Sequence, residues 1–360
     1  MSMRFPIAII AMIAADVALG LFCFGQANNA FDYYVRALSQ IQPPDILDDV
    51  SHPATEAEQR DIIATNSPAL ATLHEGIGYV CVDPPFPASG RIPEYSVQFP
   101  RLASLLAIES SARAKAGDDS AAMDSDIDAI KLGTDVGQSG PLLVDMVGWI
   151  CERRGRSTAW GVIDGISGAQ AAADAQRLEA LDSRSRPIAE AMKEDENGEL
   201  PFASHGGSAL AGAYKQYMDA LIAQAAKPYP LRTAVSEPDG AEAVAVAYKV
   251  FAQREVDDAD NRAQDAMLTV ALALRAYEAN KRTYPTSLDQ LVPRYLDSVP
   301  TDPFAVSSPL SYRLQGSSFV LYSVGPDSVD DGGTPIVAAT ASLQNIAPDS
   351  KGDIVAGINP

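Results

Sequence analysis

Histidine and cysteine are scarce, with three of each in 360 residues. That excludes a His-rich zinc centre and a dense disulfide scaffold. Positive charge is scarce as well: 27 Lys and Arg stand against 47 Asp and Glu, for a net charge of −20. So acidic a chain lacks the clustered basic surface that nucleic acid requires, and it has no surface suited to rest on anionic lipid. Catalytic signatures are missing too. There is no Walker loop, no Gly-x-Ser-x-Gly elbow, no His-Glu-x-x-His helix and no Cys-x-x-Cys pair. What the chain does have is apolar mass, a hydrophobic fraction of 47% that is ample for packed cores. Its length suits two or three domains.

Residues 5–27, from Phe5 to Ala27, form a nearly continuous apolar run behind Arg4. About 20 helical residues cross a hydrocarbon core of about 30 Å. The run therefore reads as an uncleaved anchor or as the apolar stretch of a signal peptide, with a buried soluble helix as the bland alternative. Gly25 and Ala27 are the small residues that would permit cleavage after Ala27. Asp16 is the awkward member, because a carboxylate at the bilayer centre costs about 2.5–3.5 kcal/mol. Phe22 ahead of Cys23 argues against lipid attachment at that cysteine. Positive charge precedes the run and acidic residues follow it, which directs the chain outward from the cytoplasm. The expectation is an inner-membrane-anchored protein of the bacterial envelope with its globular part outside the cytoplasm. Cys81 and Cys151 are then the one pair open to an oxidising compartment, either bridged or as free buried thiols.

Beyond the run the pattern is helical. Phe31, Tyr34, Val35 and Leu38 make one amphipathic stripe, ended by Gln42-Pro43-Pro44. A Pro-rich stretch from Val82 to Pro93 leads irregularly onward. Phe99 to Ile166 reads as three helices, with Ala116-Gly117-Asp118-Asp119 as a turn and N-cap between the first two. This helix–turn–helix resembles a tetratricopeptide-type hairpin, but the fuller signature and a second copy at fixed period are missing, so an ordinary α-helical bundle is the reading and a repeat array the alternative. Gln170 to Ala226 is again Ala-rich and helical, with interruptions expected at Asp195-Glu196-Asn197-Gly198 and at Ser204–Ser208. His205 sits in the second of these as a loop residue, while His52 and His74 have no sequence-adjacent partners. Asp257-Asp258-Ala259-Asp260 reads as the acidic N-terminal turn of a long helix, favoured there by the macrodipole.

That helix carries Met267, Val270, Ala271, Leu274 and Tyr277 on one face and runs to about Asn280. A stretch from Tyr284-Pro285 to Asp302-Pro303-Phe304 follows. Leu310–Gln315 and Ser318–Val324 then read as a hairpin about Gly316, and Gly325–Gly333 as an acidic, Gly-rich loop. Pro335–Thr340 is a candidate further strand.

These segments, with "YPTSLDQLVPRYLDSVPTDPF" and "FVLYSVGPDSVDDGG" as they stand here, resemble the C-terminal domain of the major pseudopilins of type II secretion. The resemblance implies a long helix, a Tyr-Pro turn, a loop ending in an Asp-Pro pair and a small antiparallel sheet. It also implies an acidic loop that holds calcium. Calcium takes six to eight oxygen ligands, and Asp327, Asp330 and Asp331 put three carboxylates within five residues, with Ser323 adding a hydroxyl. By the resemblance those four are the ligands; an ordinary acidic turn is the alternative. The family's Gly-Phe-Thr-Leu-Ile-Glu processing site does not occur around the apolar run. A pseudopilin-like head joined to a separate helical domain is therefore expected.

The sequence thus sets out a tether or signal peptide (1–27), an α-helical domain (28–238), a pseudopilin-like α+β domain (239–345) and a tail (346–360). The expected fold is mostly α with a small α+β C-terminal domain. The expected role is non-enzymatic, structural or protein-binding, with protein partners, a membrane and no nucleic acid. A helical-repeat adaptor that grips a peptide is the first alternative. A carboxylate-dependent hydrolase is the second, and it needs two carboxylates converging in a pocket.

Overall fold

The computed structural model describes residues 28–43, 47, 55–84, 92–205, 208–236, 242–337 and 346–358, the side chains of 198–205, 208–210 and 242–252 excepted. The apolar run, His52, the His205 side chain, most of the Pro-rich stretch and residues 338–345 lie outside the described set. Among the described residues no helix is long and apolar enough to cross a membrane.

Ten α-helices and a three-stranded antiparallel sheet make up the described chain. Asn29 caps α1 (Ala30–Gln40) by accepting from the Phe31 N–H, and the helix buries Phe31, Tyr34 and Ala37. A capping box between Thr55 and Glu58 starts α2 (Glu56–Thr65). In α3 (Ser67–Ile77), Gly76 lets α1 approach, since a Cβ there would stand 2.3 Å from that of Tyr33. The three expected helices follow as α4 (Phe99–Lys115), α5 (Asp119–Val136) and α6 (Leu142–Val162), with Asp118 capping α5 through the Ala121 N–H.

Next come α7 (Gly168–Asp182), α8 (Ile188–His205) and α9 (Ser208–Ala225). Here the expected interruption at 195–198 does not occur, because α8 runs straight through it. Asp195, an acid of that expected turn, serves another helix together with its neighbour Glu194. Pro141 gives α6 no side-chain cap, so the Gly140 N–H donates to Glu194 (2.8 Å) and the Leu142 N–H to Asp195 (3.0 Å).

The long helix α10 (Glu242–Lys281) corrects a second expectation. It begins well before Asp257, so Asp257, Asp258 and Asp260 lie inside it and cap nothing. Local pairing explains why the run stays helical: Arg254 reaches Asp257 at 2.7 Å and Arg262 reaches Asp258 at 3.1 Å.

After α10 the chain turns through a 3-10 turn at Leu288–Leu291 into β1 (Ser311–Gln315) and β2 (Ser318–Ser323), paired in register from Ser311↔Tyr322 to Gln315↔Ser318. Gly316 closes the hairpin at φ +62°, a conformation glycine adopts without strain. The third strand is β3 (Ile354–Val355), drawn from the expected tail. Pro335, in the segment expected to supply it, makes an isolated bridge to Asp353.

One core joins helices and sheet. Ile127 and Ile130 of α5, Leu178 of α7 and Met267, Leu268 and Leu274 of α10 pack in the same cluster as Phe304, Leu321 and Ile354. A second core gathers Tyr34, Leu73, Phe99, Leu102 and Leu105 around α1–α4. A third, around Met192, Tyr217 and Met218, holds α8 to α9.

Candidate functional site

Chemistry concentrates where α5, α6 and α10 meet. Three glycines permit that approach. A Cβ on Gly133 would stand 2.5 Å from the Gly148 carbonyl, and one on Gly155 would stand 2.4 Å from the Asp126 carbonyl. With the backbones this close, polar side chains from three helices share a buried space. Arg156 is 1% exposed. It donates to Asp265 at 2.7 Å and to the Asn261 carbonyl oxygen at 2.6 Å. Asn261 in turn donates to Glu152 at 2.5 Å, and the Thr134 hydroxyl donates to the other Glu152 oxygen at 2.9 Å. Burial and the charge of Asp265 push the Glu152 carboxyl up, outweighing Arg156. Burial likewise raises Asp265, and it takes Asp260 to about 6.

A second pair borders the first. Arg186 binds Asp145 and reaches Glu194 at 3.0 Å and the Gly140 carbonyl at 2.7 Å. Arg262 donates to the Arg186 carbonyl at 2.9 Å. Burial holds the Asp145 carboxyl well above its usual range despite the guanidinium. Asp145, Glu152, Arg186, Asn261 and Arg262 line a cavity of about 30 Å³ between the two pairs. A water needs about 10–15 Å³ of such space, so the cavity has room for about two waters and none for an organic substrate. Two raised carboxylates do converge here, as a carboxylate hydrolase would need, but each is committed to a basic or amide partner. Asp126 differs: one oxygen accepts from Thr158 at 2.6 Å, the other is buried with the Ser110 hydroxyl as its one, poorly aligned neighbour, and burial pushes the carboxyl up to about 7.

His74 is not isolated. Its ring nitrogens lie 2.9 Å from Glu109 and 3.1 Å from Asp128, so the imidazole ties α3 to α4 and α5. The two carboxylates raise its pKa to about 9, Asp128 most, against the opposing effect of burial. Burial alone would raise Glu109, but His74 and Arg113 hold it below the usual range.

The four residues expected to bind calcium are placed as follows. Ser323 is fully buried and donates to Asp302 at 2.6 Å. Asp302, of the Asp-Pro pair, also accepts from the Phe304 and Val324 N–H groups, so it fastens the loop to the sheet. Half-buried Asp327 accepts from the Val329 N–H and lies 3.5 Å from Lys351. Exposed Asp330 accepts from the Tyr322 hydroxyl and the Gly332 N–H. Asp331 is exposed, and its N–H donates to Asp353. Asp353 gathers the loop, taking the Gly333 and Thr334 N–H groups as well. Among the described residues no three His, Cys, Asp or Glu side chains form a metal-holding group.

A larger crevice of about 480 Å³ lies between α9, the 229–235 connection, α10 and this loop. Tyr229, Arg232, Glu255 and Asp327 line it. Cys81 and Cys151 are both free thiols, and burial pushes Cys151 up to about 12.

The Glu152–Arg156 spacing of four on a helix and the glycines at 148 and 155 were the signals of this site in the sequence. His74 offered none, because its partners lie 35 and 54 residues away. No protein-family model, curated protein or solved structure matches the chain.

Proposed function

We propose that the chain is a non-enzymatic envelope protein, tethered to a membrane through residues 5–27, whose helical body and pseudopilin-like head act as one structural or protein-binding unit. One observation carries this reading. Asp145, Glu152 and Asp265, all raised by burial, are spent on partners at the α5–α6–α10 junction, around a cavity with room for about two waters. Such a network holds helices together, and the cavity beside it is too small for an organic substrate. The tether is tested by fractionating the full chain from its own membranes. Detergent, and not a high-salt or alkaline wash, should release it, while a chain beginning at residue 28 should stay in the supernatant. Release of the full chain by the wash contradicts the tether.

Calcium at the acidic loop belongs to the same reading and draws on the resemblance of the head. An ion there would take Asp327, Asp330 and Asp331. Ser323, fully buried, donating to Asp302 and already accepting from the Gly325 N–H, has one oxygen lone pair left for an ion, which makes it the weakest of the four ligands.

The adaptor reading is favoured by the crevice beside α9, which is roomy enough for a partner's side chains. A photo-crosslinking residue in place of Gln224, which lines it, should capture a defined protein in native membranes. Absence of any adduct contradicts this second reading.

A further inference from the structure

We infer that the face built on Asn29, Val80 and Val82 is the surface with which this protein lies against its membrane; the inference rests on the tether reading and says which side of the body the tether brings to the lipid. The Asn29 side chain clamps the backbone of Val82 from both sides, donating to its carbonyl at 2.8 Å and accepting from its N–H at 2.9 Å. The Ala30 N–H donates to the Val80 carbonyl at 3.1 Å. The segment after α3 is thereby pinned in extended form beside the start of α1.

Alternation along an extended chain puts residues 80 and 82 on one side and 81 on the other. Cys81 is half-buried, while Val80 and Val82 are 73% and 54% exposed. Two branched apolar side chains are thus held outward by main-chain hydrogen bonds, with nothing in the described protein over them. Val97, 49% exposed, sits on the 3-10 turn at Glu94–Gln98, whose Tyr95 packs edge-on against Phe31 of α1 at 5.7 Å.

The occupant follows from where the sequence leads. The apolar run ends at Ala27, two residues before Asn29, so at about 3.3–3.6 Å per residue the clamp lies within about 7 Å of the run's end. Rings with one apolar and one polar end are enriched at membrane–water interfaces. Half-buried Tyr79 is such a ring at the edge of this face, and it packs on the buried Tyr33 at 5.2 Å, over which the Arg36 guanidinium lies at 4.6 Å. Asp32, Glu75 and Glu94 are exposed on the same elements, so the surface suits zwitterionic headgroups and not anionic ones.

The test uses the full chain in vesicles of phosphatidylcholine that carries bromine on its acyl chains, which quenches nearby tryptophan. Val80→Trp and Val82→Trp are compared with Val306→Trp, a head residue of similar exposure at 55%. All three sites are exposed, so the substitutions leave the cores intact. The emission added at 80 and 82 should be mostly quenched and that at 306 unaffected, with no gain from added phosphatidylglycerol. If the chain fails to float with the vesicles, the tether reading falls and takes this inference with it. If it floats but positions 80 and 82 are quenched no more than 306, or only when anionic lipid is added, this inference alone is overturned.

Discussion

Arg156 of α6 and Asp265 of α10 meet at 2.7 Å inside the protein, across 109 residues of sequence. Through this contact the helix that leads into the sheet is bonded to the helical body. Taking two charges out of water is costly, and the cost is offset only when the remaining donors and acceptors are also satisfied. Asn261, Glu152 and Thr134 satisfy most of them here, while the Arg156 Nε–H stays buried without a partner.

Removing one partner of this network leaves the others buried and unpaired. Arg156→Ala should cost about 3–5 kcal/mol in urea unfolding. Arg156→Met, which fills the same space, should cost clearly less when Asp265→Leu accompanies it. A loss below about 1 kcal/mol for Arg156→Ala would mean that the network holds nothing together.

Stability should fall as pH rises. Asp126 and Asp260 have folded values near 7 and 6 against an ordinary 3.8, so between about 4 and 7 the folded state binds more protons than the unfolded state. Their contribution therefore declines with rising pH through that window. His74, raised from 6.5 to about 9, acts in the same direction: its contribution is full below 6.5 and lost as pH passes 9. Asp126→Asn mimics the protonated acid and should gain at least about 1.4 kcal/mol at pH 8, the worth of one unit. Its gain should vanish near pH 4. Equal gains at both pH values would contradict the assignment.

The glycines at the α5–α6 crossing should tolerate no side chain. Gly155→Ala puts a methyl 2.4 Å from the Asp126 carbonyl and should cost about 1–3 kcal/mol by overpacking. Gly212→Ala on exposed α9 meets nothing within 4 Å and should gain up to about 1 kcal/mol from helix propensity. Thermal melts of the two variants, moving in opposite directions, check this.

Millimolar calcium should raise the melting temperature, and Asp330→Ala should abolish the rise. Magnesium, which demands six ligands in tighter geometry, should do much less. Identical melts with calcium and with chelator would rule out the ion.

Much of the helical order was legible in the sequence. The boundaries of α4 to α6 follow from apolar spacing and from Asp118, a capping residue ahead of a periodic run. The start of α10 was misplaced because Asp257, Asp258 and Asp260 have the composition of a cap. What keeps them inside the helix is Arg254 paired with Asp257 and Arg262 paired with Asp258 along it, with the charges of Arg153 and Arg156 on α6 offsetting that of buried Asp260. Asn197-Gly198 has the composition of a turn for a similar reason, yet the acids before it cap α6, a long-range use that local pattern does not show. The third strand is two residues long, too short for any periodicity, and His74 acquires its partners only through tertiary packing. The buried ionic junction is built from residues that singly look like ordinary helix-surface residues, so only the Glu152–Arg156 spacing and the glycines at 148 and 155 pointed to it.

The central claim is that helices and head form one body. Hydrogen exchange of the full chain in increasing urea tests it most directly, because it reports each segment separately. The account predicts that amides of β1 and β2 and those of α5 and α6 become exposed together, at one urea concentration. Exchange of the hairpin through a separate transition, at urea where α5 and α6 remain protected, would contradict it.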